Sequence, residues 1–167
     1  MWAKVFEENR DMGNPDNDMG KKIIAHEGQY VLDMHITEQT KRQMVADGIP
    51  EQSMGHDMFK PAFQFADHEW VYRPKRMHLA PDTWKDDKGK RVVLGAPDVG
   101  DLNRPYEDEN GYKRAAKHSF ADGEIGNGSD LMVKLTKYGD GQGATIRLHS
   151  IGIQNLVERQ VTEGVMF

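Results

Sequence analysis

Cysteine is absent from the 167-residue chain, which excludes a disulfide framework, a thiolate zinc site, a cysteine nucleophile and an iron–sulfur cluster. Long apolar runs are missing as well, and none approaches the ~18–20 residues that a membrane-spanning helix needs. The opening Met1-Trp2-Ala3-Lys4-Val5-Phe6-Glu7-Glu8 has no signal-peptide anatomy, so a soluble, cytoplasmic protein without membrane contact is expected. Catalytic signatures are equally scarce. There is no Walker A loop, no G-x-S-x-G and no H-E-x-x-H, and the seven His include no i, i+4 pair. Asp67-His68-Glu69 could join a carboxylate cluster. Asp82, Asp86 and Lys88 echo the Asp…Asp-x-Lys of metal-dependent nucleases, but lie too close for two strands to present them. No residues can be given nucleophile, base and stabiliser roles, so neither an enzyme nor a metal or cofactor is expected.

What is present points to strands. The 17 Gly and 7 Pro favour a turn-rich, mainly β fold, and the length suits one domain over residues 1–167. Trp2, Lys4 and Phe6 alternate with Ala3 and Val5, as in a first strand. Gly13 to Asp18 is a loop of strong breakers, with Lys22-Ile23-Ile24-Ala25 a short strand or part of that loop. Tyr30, Leu32, Met34 and Ile36 then share one face of a strand. Thr37 caps a short helix that Gly48 and Pro50 end.

Residues 51–125 are less regular. Phe63 and Phe65 alternate with Gln64, Trp70-Val71-Tyr72 has strand propensity, and Arg91 to Leu94 is a short β-like run after the Asp87-Lys88-Gly89 turn. The acidic stretch from Pro97 to Gly111 reads as a long surface loop. Leu131, Val133 and Leu135 alternate with Met132, Lys134 and Thr136. Ala144, Ile146 and Leu148 do the same after a Gly139-Asp140-Gly141-Gln142-Gly143 turn, which predicts a hairpin rather than a dinucleotide loop. The apolar phase slips near Ser150, as at a bulge that bends a barrel strand.

Charge is segregated. Residues 70–91 hold seven Lys/Arg against three Asp, residues 112–117 add three Lys/Arg, and residues 134–147 hold three against one Asp. Together these blocks carry +9 within a chain of net charge −5, which leaves −14 elsewhere and implies one anion-binding side. Aromatics are interleaved with the cations, the pairing that a single-stranded nucleic acid needs for its bases and phosphates. The candidate binding residues are Trp70, Tyr72, Arg73, Lys75, Arg76, Trp84, Lys85, Tyr112, Lys113, Arg114, Lys134, Lys137 and Tyr138, with Lys4 on the first strand and Arg147 on the last. A place in the core accounts for any single aromatic equally well. Trp70 and Tyr72 share a strand face, so both stack or both pack. Tyr138 falls on the outer face with Lys134, whereas Lys41 and Arg42, on the predicted helix, lie away from the interleave.

The stretch from Ile125-Gly126-Asn127-Gly128-Ser129 to Lys134, with the later Ile146-Arg147-Leu148-His149-Ser150-Ile151-Gly152-Ile153-Gln154, resembles the end of the OB-fold domain in single-stranded DNA-binding proteins of tailed bacteriophages. Tyr138 and Gly143 fall where that family has a Tyr and a Gly. Trp2 to Val5, and Gly28 to Ile36 leading into a short helix, match its front. The likeness covers about half the chain and misses most of residues 51–110. It implies a five-stranded OB barrel with one short helix and an elaborated middle, binding single-stranded DNA in phage replication or recombination, in the cytoplasm of a host. Several members of that family end in a long acidic tail closed by an aromatic residue, which recruits replication proteins. Here Phe167 is the last residue but Glu158 and Glu163 are the only acids among the final ten, so a partner contact falls to Phe167 or to the acidic 98–111 segment. A β-barrel structural protein of a phage particle is the alternative from another class, ahead of a small metal-dependent nuclease.

Overall fold

The computed structural model describes residues 3–62, 69–139 and 141–158. Trp2, Phe63, Phe65, Asp67, His68, Asp140 and Phe167, each of which entered the reading above, lie outside the described residues.

Strand β1 (Ala3–Lys4) is short, and the chain turns at once into a single 3₁₀ turn at Glu7–Asn9. The first departure from expectation follows. Residues 22–25 are not a strand but the end of helix α1 (Asp18–Ala25), capped by Asn17, whose side chain accepts from the Gly20 N–H at 2.6 Å. Gly20 is buried against the Asn14 backbone, where a Cβ would lie 1.6 Å from the Asn14 carbonyl oxygen. The glycine that looks like a breaker is there because the helix sits directly on the preceding loop.

Strands β2 (Gln29–Leu32) and β3 (Met34–Ile36) are the predicted strand, bent at Asp33. Helix α2 (Glu38–Ala46) ends as predicted, with Gly48 N–H on Val45 and Ile49 N–H on Met44, the bonding of a Schellman cap. A small hairpin, β4 (Gln52–Ser53) and β5 (His56–Asp57), precedes β6 (Phe59–Pro61), β7 (Trp70–Tyr72) and β8 (Lys75–Met77). The β7–β8 pair runs antiparallel to β2–β3 and bends opposite Asp33, at Arg73-Pro74. There the Arg73 guanidinium holds the Asp33 carboxylate through two hydrogen bonds.

A hairpin-like arm, residues 78–95, comes next, its limbs paired by isolated bridges between Leu79 and Val93 and between Lys85 and Arg91 rather than by a continuous ladder. The predicted loop at 97–111 is instead mostly strand: β9 (Asp98–Glu107) returns through a turn into β10 (Lys113–Lys117). Both faces of this hairpin are largely solvated, so no apolar alternation marks it. Strands β11 (Asp130–Tyr138) and β12 (Thr145–Asn155) form the predicted C-terminal hairpin.

The main sheet has seven strands in the order β1-β2-β8-β12-β9-β10, with β11 also on β12. Strand β12 meets β8 in parallel at Arg147 and meets β9 in parallel from Ser150 to Ile153, while β11 covers its other edge. The register slips where Lys134 faces Ser150 and Leu135 faces Leu148. His149 is the extra residue, and this bulge is the predicted phase slip. It turns Ile151 and Ile153 inward beside Leu148, into a core with Val5, Phe6, Leu32, Val99 and Ile125. A second core of Ile36, Phe59 and Tyr72 lies under α2. The result is mainly β, a sheet curled as a half-barrel of OB type with two α-helices, where one short helix was expected.

Candidate nucleic-acid interface

On β11 the alternation sorts side chains cleanly. Leu131, Val133 and Leu135 pack on the core, so Met132, Lys134, Thr136 and Tyr138 form the opposite face. Tyr138 is 46% exposed. Across the ladder, Thr136 faces Arg147 and Tyr138 faces Thr145. This register brings the Arg147 guanidinium over the Tyr138 ring, 4.7 Å from its centroid, and within 5.6 Å of the Trp84 ring. Trp84 is 45% exposed. The two half-exposed rings thus share one cation, each contact being worth about 0.5–1 kcal/mol at such a site. Lys134 and Lys85 stand exposed on the same two elements.

Trp84 reaches this place on the 78–95 arm, and two buried-side arginines hold the arm down. Arg76 donates to the Leu94 and Gly95 carbonyls, both at 2.8 Å, and to Leu148 at 3.4 Å. Arg91 donates to the carbonyls of Ala80 and Ala25 and pairs with Asp82 at 3.1 Å. Burial first, then the neighbouring Arg147, pulls Arg76 below the usual guanidinium range. Arg76 was expected to face a ligand; its N–H groups are occupied by backbone instead.

Trp70 and Tyr72 both pack. Tyr72 is buried in the second core with its ring 5.0 Å from that of Phe59, and burial pushes its phenol up to about 12. The Trp70 indole N–H donates to the Glu38 carboxylate, which holds that carboxyl below its ordinary value, and the Lys41 ammonium sits 3.6 Å from the indole centroid. Lys41 therefore covers an aromatic rather than lying apart from all of them, because α2 folds back over β7. With Phe59, Pro50, Pro61 and Glu51, Lys41 and Trp70 line a cavity of about 650 Å³.

The remaining candidates scatter. Lys4 faces Val31 on the β1–β2 ladder, and Arg73 is tied to Asp33. Tyr112 and Lys113 are exposed at the tip of the β9–β10 hairpin, where Arg114 pairs with Asp108. Asp101 likewise pairs with Arg104 at 3.0 Å, so two of the five carboxylates in 98–111 are balanced by an arginine. Lys137 is exposed on β11, and Lys75 stands beside Arg147. Tyr106 is not among the candidates because its strand reads as a loop, and Lys117 is counted in the 112–117 block but not singled out. They line a groove of about 900 Å³ with Lys113 and Lys134, but also with Glu7, Glu8 and Asp98, so its charge is mixed.

No family model matches the chain, and no curated protein matches its sequence. Among solved structures its fold is similar to the crystal structure of gp2.5, a single-stranded DNA-binding protein encoded by bacteriophage T7. The TM-score is 0.50 at 16% identity, over 99% of this chain and 92% of that one.

Proposed function

We propose that this protein binds single-stranded DNA with little base preference, stacking bases against Trp84 and Tyr138 and placing phosphates near Arg147, Lys134 and Lys85. The observation that carries this reading is the Arg147 guanidinium between two half-exposed aromatic rings on a barrel face. Neither ring is part of either core. Stacking is available to every base, which is why such sites tolerate sequence. A duplex keeps its base faces stacked on one another and offers these rings little. The shared fold with a phage single-stranded DNA-binding protein supports the same reading. A role in phage replication or recombination, with the whole of 1–167 acting as one OB domain and Phe167 meeting a replication protein, extends it.

Tryptophan fluorescence titrated with oligo-dT tests the proposal. Stacking on Trp84 quenches the wild-type signal, and Trp84→Phe, which keeps an aromatic face, removes most of that quench. A flat titration of the wild-type protein overturns the reading.

A further inference from the structure

We infer that Lys75, next to Arg147 across the sheet, forms a phosphate-binding site that continues the Trp84–Arg147–Tyr138 platform beyond β12. The inference rests on the proposed single-strand binding and adds to it where the backbone of the ligand runs.

The ladders fix the placement. Val31, Lys75, Arg147 and Thr136 stand opposite one another on β2, β8, β12 and β11. Residues in one such row share a face of the sheet, and neighbouring strands lie about 4.8 Å apart. Lys75 is therefore the next residue beyond Arg147, on the face that carries Lys134 and Tyr138.

Cations outnumber carboxylates around it. Burial first, then Arg73 and, more weakly, Lys60 on β6 and Lys22 on α1 as like charges, hold the Lys75 ammonium below its ordinary pKa. Asp11 is the carboxylate that opposes them, and both its oxygens are engaged, one by the Gln29 side-chain amide at 2.8 Å and the other by the Gly13 N–H at 3.0 Å. Arg73 has Asp33. No ion pair joins Lys75, Lys60 or Lys22 to a carboxylate among the described residues.

A half-buried ammonium with more like than opposite charge around it, and no carboxylate in direct contact, is destabilising unless something else supplies negative charge. A phosphate does so. The mixed groove by Tyr106 offers no such excess of one sign, so the Lys75 side is where a polyanion gains most. The phosphate could come from the single strand or from the free ion, and the two sources separate experimentally.

Lys75→Met is the informative variant, because the two roles predict opposite signs. If Lys75 is an anion site, the variant melts higher than wild type in chloride buffer. It also binds oligo-dT about tenfold more weakly, and its log K against log salt is shallower by about 0.7, the loss of one phosphate contact. Inorganic phosphate at matched ionic strength raises the melting temperature of wild type and leaves that of Lys75→Met unmoved. A lower melting temperature for Lys75→Met, or unchanged oligo-dT affinity and slope while wild type binds, overturns the inference and leaves single-strand binding standing. If wild type fails to bind oligo-dT but is still stabilised by phosphate, the single-strand reading falls and the site belongs to the free ion. No response to either ligand overturns both.

Discussion

Tyr138 and Tyr72 carry the same side chain and meet opposite fates. Tyr138 ends β11 on the face away from the core, is 46% exposed and lies under Arg147. Tyr138→Ala is expected to weaken single-strand binding by about 1–3 kcal/mol and to leave the melting temperature nearly unchanged, as calorimetry and an oligo-dT titration on one preparation would show. Unaltered affinity would assign this ring no part in binding. Tyr72 reports instead on stability. Its phenol is pushed from the ordinary 10.0 to about 12 by burial, so the folded state resists its ionisation. Stability held by the neutral phenol is fully present below about pH 10 and is lost as pH rises through about 12. Over that window the wild type loses up to about 2–3 kcal/mol that Tyr72→Phe does not, since one pKa unit is about 1.4 kcal/mol. Urea midpoints at pH 9 and pH 11.5 measure it. Parallel declines for the two proteins would mean that Tyr72 ionises without unfolding anything.

At the scale of elements, the 78–95 arm forms no regular ladder of its own. Its two limbs meet in isolated bridges and through Arg91 on Ala80, while Arg91 on Ala25 and Arg76 on Leu94 and Gly95 tie the arm to the rest. Arg91→Met strands the carbonyl of buried Ala80, at about 1–3 kcal/mol for such a group, cuts the tie to Ala25, and frees the arm before the barrel. Trypsin should then cut faster at Lys85, Lys88 and Lys90, and quenching by oligo-dT should fall because Trp84 is no longer held beside Arg147. Unchanged cleavage would show that the arm is fixed by other means. Elements written in local sequence were legible: α2 through Thr37, Gly48 and Pro50, the β11–β12 hairpin through its glycine turn, and the His149 bulge through the shift from Leu148 to Ile151. Two were not. Helix α1 hides behind Gly20, whose reason is a contact with Asn14, and β9 hides because neither of its faces is a continuous apolar one. The same divide runs through the site. Arg147 over Tyr138 is a pairing across one hairpin, and both residues stood among the candidates. Nothing local distinguishes Trp84, which ends on the surface, from Trp70, which α2 covers with Lys41 and Glu38.

Over the whole molecule the charge is −5, which repels a polyanion at long range, so binding has to come from a local excess of cations. The face across β8, β12 and β11 supplies one, with Lys75, Arg147 and Lys134, and Lys85 stands on the adjoining arm. Four phosphates neutralised there predict that log K falls with log salt at a slope of about 3, from about 0.7 per contact on a single strand. Electrostatics alone would serve a duplex as well, and its charge density is the higher. Stacking breaks that symmetry. At low salt, where the phosphate contribution is largest, duplex of the same length should approach the single strand in affinity. As salt rises the two should separate, because stacking on Trp84 and Tyr138 survives screening and phosphate contacts do not. Affinity for a ~20-mer oligo-dT and its duplex, measured from 50 mM to 300 mM salt, decides the matter. Curves that stay parallel would reduce the platform to a patch of charge, and a flat curve for the single strand would remove the cations from the site.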